Sequence, residues 1–146
     1  MTDPHAVLAA LRVYVAASWR TRRQPEVVSV LRAAGFHVYD FRNPEPSFAG
    51  HATADHGFAW REIDGGWQSW SPDQFVSALK HPLAVAGFET DMAALRAAEA
   101  VVLVQPSGRS SALEFGWARG AGKPGAVLLA DGQEPELMLA MGSVLT

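Results

Sequence analysis

Cysteine is absent from this 146-residue chain, which excludes a disulfide framework, a thiolate zinc site and a thiol nucleophile. No apolar run approaches the roughly 20 residues that a membrane-spanning helix requires. The opening MTDPHAVLAALRVYV carries neither a basic n-region nor a cleavage site, so a cytoplasmic location is expected. HExxH and GxSxG are missing, and so is the Gly-rich phosphate loop. The five His fall into no metal-ligand spacing; His51 and His56 are five apart in a loop. Asparagine occurs once, at Asn43. What remains is 49% hydrophobic and 18% charged, the composition of one folded domain of ordinary size.

Charge is divided unevenly. Residues 1–43 hold six Arg against Asp3, Glu26 and Asp40, whereas residues 44–146 hold six basic and twelve acidic groups. Binding to polymeric nucleic acid rests on many phosphate contacts, and this balance offers no broad basic face for it. A small anion near Arg20, Arg22 and Arg23 agrees better with these counts.

Short apolar runs alternate with helical periodicity. Leu11–Ala17 reads as the first strand, and Pro25 opens a helix through EVVSVLRAA that Gly35 stops. Phe36–Phe41 is the second strand, which completes a βαβ unit. Residues 42–70 have no sustained period and carry Trp60, Trp67 and Trp70. Ser71 and Gln74 then form a capping box for a helix reaching about His81. Thr90 can cap the next helix, DMAALRAAE. Glu99–Gln105 is a buried strand, Ser110–Gly122 a helix, Gly125–Ala130 a strand and Pro135–Met141 a short final helix. Apolar strands of this kind imply a parallel sheet covered on both faces. The expected architecture is a flavodoxin-like three-layer sandwich of about five strands, a single domain over 1–146 with a Trp-rich irregular insertion at about 42–88.

In such folds ligands sit beyond the carboxyl ends of the strands, where the strand order reverses. The loops Ser18–Gln24 and Pro106–Ser111 flank that point. A phosphate beside Ser18–Arg23 would meet backbone N–H groups and Arg forks, although a solvated basic turn is the simpler reading. Glu114 and Asp91 offer two carboxylates for sugar chemistry, one attacking and one protonating the leaving group. Each also has a purely structural reading. Ser111–Glu114 matches a capping box, and Asp91 suits the first turn of a helix. The three Trp can stack on a base or pack the long loop against the core.

Three blocks resemble the nucleoside 2-deoxyribosyltransferase superfamily, closest to its 2′-deoxynucleoside 5′-phosphate N-hydrolase branch. VYVAASWR is similar to that branch's strand and Ser-x-Arg segment, through Tyr14, Ser18 and Arg20. DMAALRAAEAVVLVQPS is similar to its Asp-led helix, strand and Gln-Pro-Ser, through Asp91 and Ser107. LEFGWARGAGKP resembles its Glu-x-Gly-x-Ala helix and Gly-Lys-Pro turn, through Glu114. The resemblance implies Glu114 as nucleophile at the sugar's anomeric carbon and Asp91 as the group assisting departure of the base. It further implies that Tyr14 orients Glu114, and that Ser18, Trp19, Arg20, Ser107, Gly108 and Ser110 surround phosphate or sugar. No metal or other cofactor is implied. The partner is a small nucleoside or nucleotide, and the chain is a homo-oligomer whose sites borrow residues from a neighbour. Gly108 stands where the transferase branch has Asp, and that branch's C-terminal Asn is missing, so hydrolysis is favoured over base exchange. Two other readings stay open: a TIR-like NAD glycohydrolase, and a non-catalytic nucleotide-binding regulatory domain.

Overall fold

Five strands, numbered β1 to β5 in chain order, form a sheet of order β2-β1-β3-β4-β5 with every pairing parallel, and β1 (Arg12–Ala16) lies between β2 and the central β3. The structure, a computed structural model, describes residues 11–49 and 54–146. The remaining elements are α1 (Gln24–Ala33), β2 (His37–Asp40), α2 (Pro46–Ala49), α3 (Pro72–Ala78), α4 (Pro82–Ala97), β3 (Ala100–Val104), α5 (Arg109–Gly120), β4 (Gly125–Leu128) and β5 (Ser143–Leu145). Three 3₁₀ turns, at Trp60–Glu62, Trp67–Ser69 and Leu137–Met141, punctuate the connections. This is the flavodoxin-like α/β sandwich expected from the alternating runs.

Strand side chains alternate between the two faces. Tyr14, Ala16, Tyr39, Val101, Leu103 and Val127 pack with Ala94, Leu95, Phe115 and Ala118, which places α4 and α5 over one face. Val15, Ala17, Val38 and Val104 pack with Val27 and Val28 of α1 on the other. Lys123, in the turn before β4, donates to the carbonyls of Leu95, Arg96 and Ala98 and so closes the end of α4.

Several local expectations change. The Ser71–Gln74 capping box forms as expected, with Ser71 N–H on Gln74 Oε1 at 2.8 Å. Thr90, however, caps nothing. The helix starts at His81–Pro82 and runs unbroken through residue 90, whose hydroxyl donates to the Ala86 carbonyl one turn back. Pro82 at the first position and the Ala-rich stretch behind it carry the helix across that point. Asp91 is therefore a mid-helix residue. The Ser111–Glu114 box is not made either: Gly108 is the N-cap and Ser111 Oγ turns back to the Gly108 carbonyl. The final helix is the 3₁₀ turn Leu137–Met141, and β5 is a three-residue strand that no sequence pattern announces.

Candidate functional site

The parallel register sets Tyr14 of β1 beside Tyr39 of β2 on the face covered by α4 and α5. Their rings stack with centroids 5.1 Å apart and planes 25° apart. From α4, Asp91 accepts a 2.8 Å hydrogen bond from the Tyr39 hydroxyl through Oδ1. From α5, Glu114 approaches the Tyr14 hydroxyl, which is fully buried and completes no hydrogen bond. Two acids that are 23 residues apart in the chain (114 minus 91) thus meet over two tyrosines.

No cation among the described residues neutralises this cluster. Burial pushes the Asp91 carboxyl up to about 6, against the pull of the Tyr39 hydroxyl. Glu114 rises to about 8, first through burial and then through the charge of Asp91, with the Tyr14 hydroxyl opposing. Both phenols are held well above their usual range, by burial first and then by the Asp91 charge. Between about pH 6 and pH 8 the pair therefore carries one proton. Such a pair presents one acid and one base at neutral pH.

The loop after β1 is built around Thr21, which has no exposed surface. Its hydroxyl donates to the Pro106 carbonyl at 2.6 Å and accepts from Ser18 N–H at 3.0 Å, tying the β1 loop to the loop after β3. Ser18 Oγ accepts from Arg20 N–H, and Gly108 lies against Ser18, so the start of α5 adjoins this loop. Ser107 N–H is held by Gln105 Oε1 at 3.1 Å. The Trp19 indole donates to the Phe58 carbonyl at 2.9 Å, and the guanidinium groups of Arg42 and Arg61 lie 5.5 and 5.7 Å from its centroid.

The structure accordingly brings Tyr14, Asp91 and Glu114 together, and separately sets Ser18 beside Gly108. Ser110 and Arg20 are exposed, and neither side chain touches the acids. The Arg20–Arg23 group does not converge: Arg23 reaches away to the Leu129 carbonyl at 3.0 Å. Three functional candidates were not legible in the sequence. Tyr39 is a β2 residue seen as core. Thr21 sits between arginines with no distinguishing pattern. Arg42 lies in an irregular stretch, yet one of its nitrogens, Nη2, donates to the carbonyls of Ser18, Trp19 and Thr21 and braces the loop.

The Trp-rich segment packs largely on itself. Trp60 meets Phe58, Trp70 and Phe75 edge-on at 4.8, 5.7 and 5.7 Å, and Trp70 donates to Asp64 Oδ2. Trp67 stays largely exposed. Two glycines seat the segment. A Cβ at Gly57 would strike the Phe41 carbonyl at 2.4 Å, and one at Gly87 would strike Phe58 Cβ at 2.7 Å. Gly87 lies one turn before Asp91, so Phe58 is placed along the same side of α4. His56 stands between Asp55 and Glu62, His81 caps α4, and His37 packs on Phe48. His51 lies outside the described residues. No described helix is long and apolar enough to cross a membrane.

No family model matches this chain, and neither does any curated protein. A solved structure does: a 2-deoxyribosyltransferase from the psychrotolerant bacterium Bacillus psychrosaccharolyticus, with 17% identity and a TM-score of 0.53. The match covers 92% of this chain and 85% of that one. The chain thus shares the flavodoxin-like fold of that enzyme.

Proposed function

We propose that this protein cleaves the N-glycosidic bond of a deoxynucleoside or its 5′-monophosphate. The observation that carries the reading is the half-buried Asp91–Glu114 pair, two carboxyl groups brought together over Tyr14 and Tyr39 and both raised by burial. Retaining glycosidases need this division of labour: one carboxylate to attack the anomeric carbon and one acid to protonate the departing group. The fold shared with a 2-deoxyribosyltransferase agrees with glycosyl chemistry on a nucleoside.

In this scheme Glu114 attacks C1′ and the glycosidic electron pair leaves with the base, which takes its proton from the Asp91 side. In the free protein burial raises both carboxyls, and the charge of Asp91 raises Glu114 further, so the two favour sharing a proton. Positive charge growing at C1′ favours the Glu114 carboxylate, so the proton passes toward Asp91 and the base as the bond breaks. Tyr39 fixes the Asp91 carboxyl through its 2.8 Å hydrogen bond. The Tyr14 hydroxyl faces Glu114 and can donate to its carboxylate or to the sugar. Water then resolves the glycosyl ester on Glu114. Ser18, Ser107 and the first N–H groups of α5 form the side where a 5′-phosphate would sit, helped by the helix dipole. Trp19 and Arg20 border that side, whereas Ser110 lies further out.

The test is incubation with a panel of deoxynucleosides, their 5′-monophosphates and NAD, followed by chromatography for free base. Release of a nucleobase from a deoxynucleoside or deoxynucleotide is expected. Nicotinamide release from NAD alone would replace this reading with NAD glycohydrolysis. Thermal stabilisation by a nucleotide without product over hours would favour a regulatory nucleotide-binding domain.

A further inference from the structure

A second candidate binding site lies beyond the carboxyl ends of β3 and β4. There a cavity of about 420 Å³ opens between Gln105, Leu129 and the segment 133–140, with Val144 at its edge. Neither Asp91 nor Glu114 lines it. Its volume lies within the range of small-molecule sites, which combine apolar walls with a few placed polar groups. The apolar walls come from Leu129, Pro135, Leu137 and Leu139.

The placed polar group is Gln105. The residue is largely buried, with 8% of its surface exposed. Oε1 accepts from Ser107 N–H at 3.1 Å and from Gln133 Nε2 at 2.9 Å. A backbone N–H can only donate, so it fixes which end of the amide is the oxygen. Nε2 has no partner among the described residues while its residue lines the cavity. A ligand acceptor in the cavity would supply that partner. Gln133 Oε1 is turned to Ala130 N–H at 3.4 Å.

Charge narrows the ligand further. The lining holds no basic side chain but includes Glu134 and Glu136. Glu136 is partly engaged by Met138 N–H, whereas the Glu134 carboxylate has no hydrogen-bond partner among the described residues. A phosphate would be repelled. A neutral planar N-heterocycle is complementary: a ring nitrogen or carbonyl accepts from Gln105 Nε2, an N–H donates to Glu134, and the ring faces rest on the leucines.

We propose that this cavity is a second binding site, for a neutral N-heterocycle of the free-nucleobase type. The inference does not depend on the reaction proposed above. Because Gln105 also holds Ser107 N–H, an occupant of the cavity stiffens the loop after β3.

The test titrates adenine and cytosine, and separately their nucleoside 5′-monophosphates, into the full chain, following protein methyl and amide signals by NMR. At least one free base should saturate, with contacts from its protons to the Leu137 and Leu139 methyl groups and slower exchange of the Ser107 amide. Ala140→Trp, which fills the cavity from the 3₁₀ turn, should weaken that binding at least tenfold. Gln105→Leu should weaken it similarly, whereas Glu114→Ala should leave it intact. The proposal fails if neither base binds up to millimolar concentration, or if both cavity variants bind as wild type. It also fails if the contacts map to Asp91 and Glu114 instead, or if the monophosphates occupy the cavity as well as the bases do.

Discussion

The protein contains two pairs of carboxylates, and they behave in opposite ways. Asp91 and Glu114 are half-buried with no cation beside them among the described residues, and both are pushed up. Asp55 and Glu62 grip the exposed ring of His56 from its two sides, and both are pulled down. The His56 hydrogen bond leads for Asp55. For Glu62, burial works against the shift, but the His56 and Ala59 hydrogen bonds outweigh it. His56 itself is raised, through Glu62 first and then Asp55. Proximity of two acids does not make a proton-holding site. Removing water while withholding a cation does.

Breaking the half-buried pair should have the largest effect. Glu114→Ala should cut base release by on the order of 10³-fold or more, as loss of a nucleophile does. Asp91→Asn should cost roughly 10²–10⁴-fold, the range for a general acid. These are steady-state rates with the best substrate of the panel. Either variant retaining the wild-type rate removes that residue from the mechanism.

The wild-type pH profile of kcat/KM should be bell-shaped, with limbs near 6 and 8, because only the one-proton form is active. Tyr39→Phe sharpens the comparison. It removes the donor that holds Asp91 down, so the acidic limb should move to higher pH while the alkaline limb stays nearly in place. A merely structural tyrosine would lower the rate without moving the limb.

Stability against pH should also separate the pairs. Glu114 binds its proton more tightly folded than unfolded. Its contribution is fully present below the unfolded carboxyl value and is lost as pH rises through about 8. Glu114→Gln should therefore raise Tm relative to wild type, more at pH 8 than at pH 5. The exposed cluster has two opposite signs. Asp55 and Glu62 contribute above their unfolded values and lose that contribution as pH falls through their lowered ones. His56 contributes below its unfolded value and loses it as pH rises through its raised one. His56→Gln should give the smallest Tm change of the series, and one weakened further by salt. Equal pH dependence in the two variants would break the comparison.

Much of this was legible in the sequence, and the exceptions have physical reasons. Continuous apolar runs such as VVLV and the helix after Pro25 announce a parallel sheet with helices on its faces. β5 does not announce itself, because three exposed residues, Ser143–Leu145, carry no period. Asp91 and Glu114 stood out only through the resemblance, since each also suited a helix-end role. The helix that carries Asp91 in fact begins earlier, at Pro82, which moves that acid into the helix interior, whereas the helix of Glu114 starts within one residue of its expected place. Thr21 and Arg42 act through contacts with residues distant in sequence, which no local pattern encodes.

The most direct measurement is a carboxyl-carbon NMR titration of the free protein, with Asp91 and Glu114 assigned by Asp91→Asn and Glu114→Gln. Two steps near pH 6 and 8 are expected, while Asp55 and Glu62 titrate below the usual carboxylate range. Asp91 and Glu114 both titrating near 4, as solvated carboxylates do, would contradict the shared proton on which the account rests.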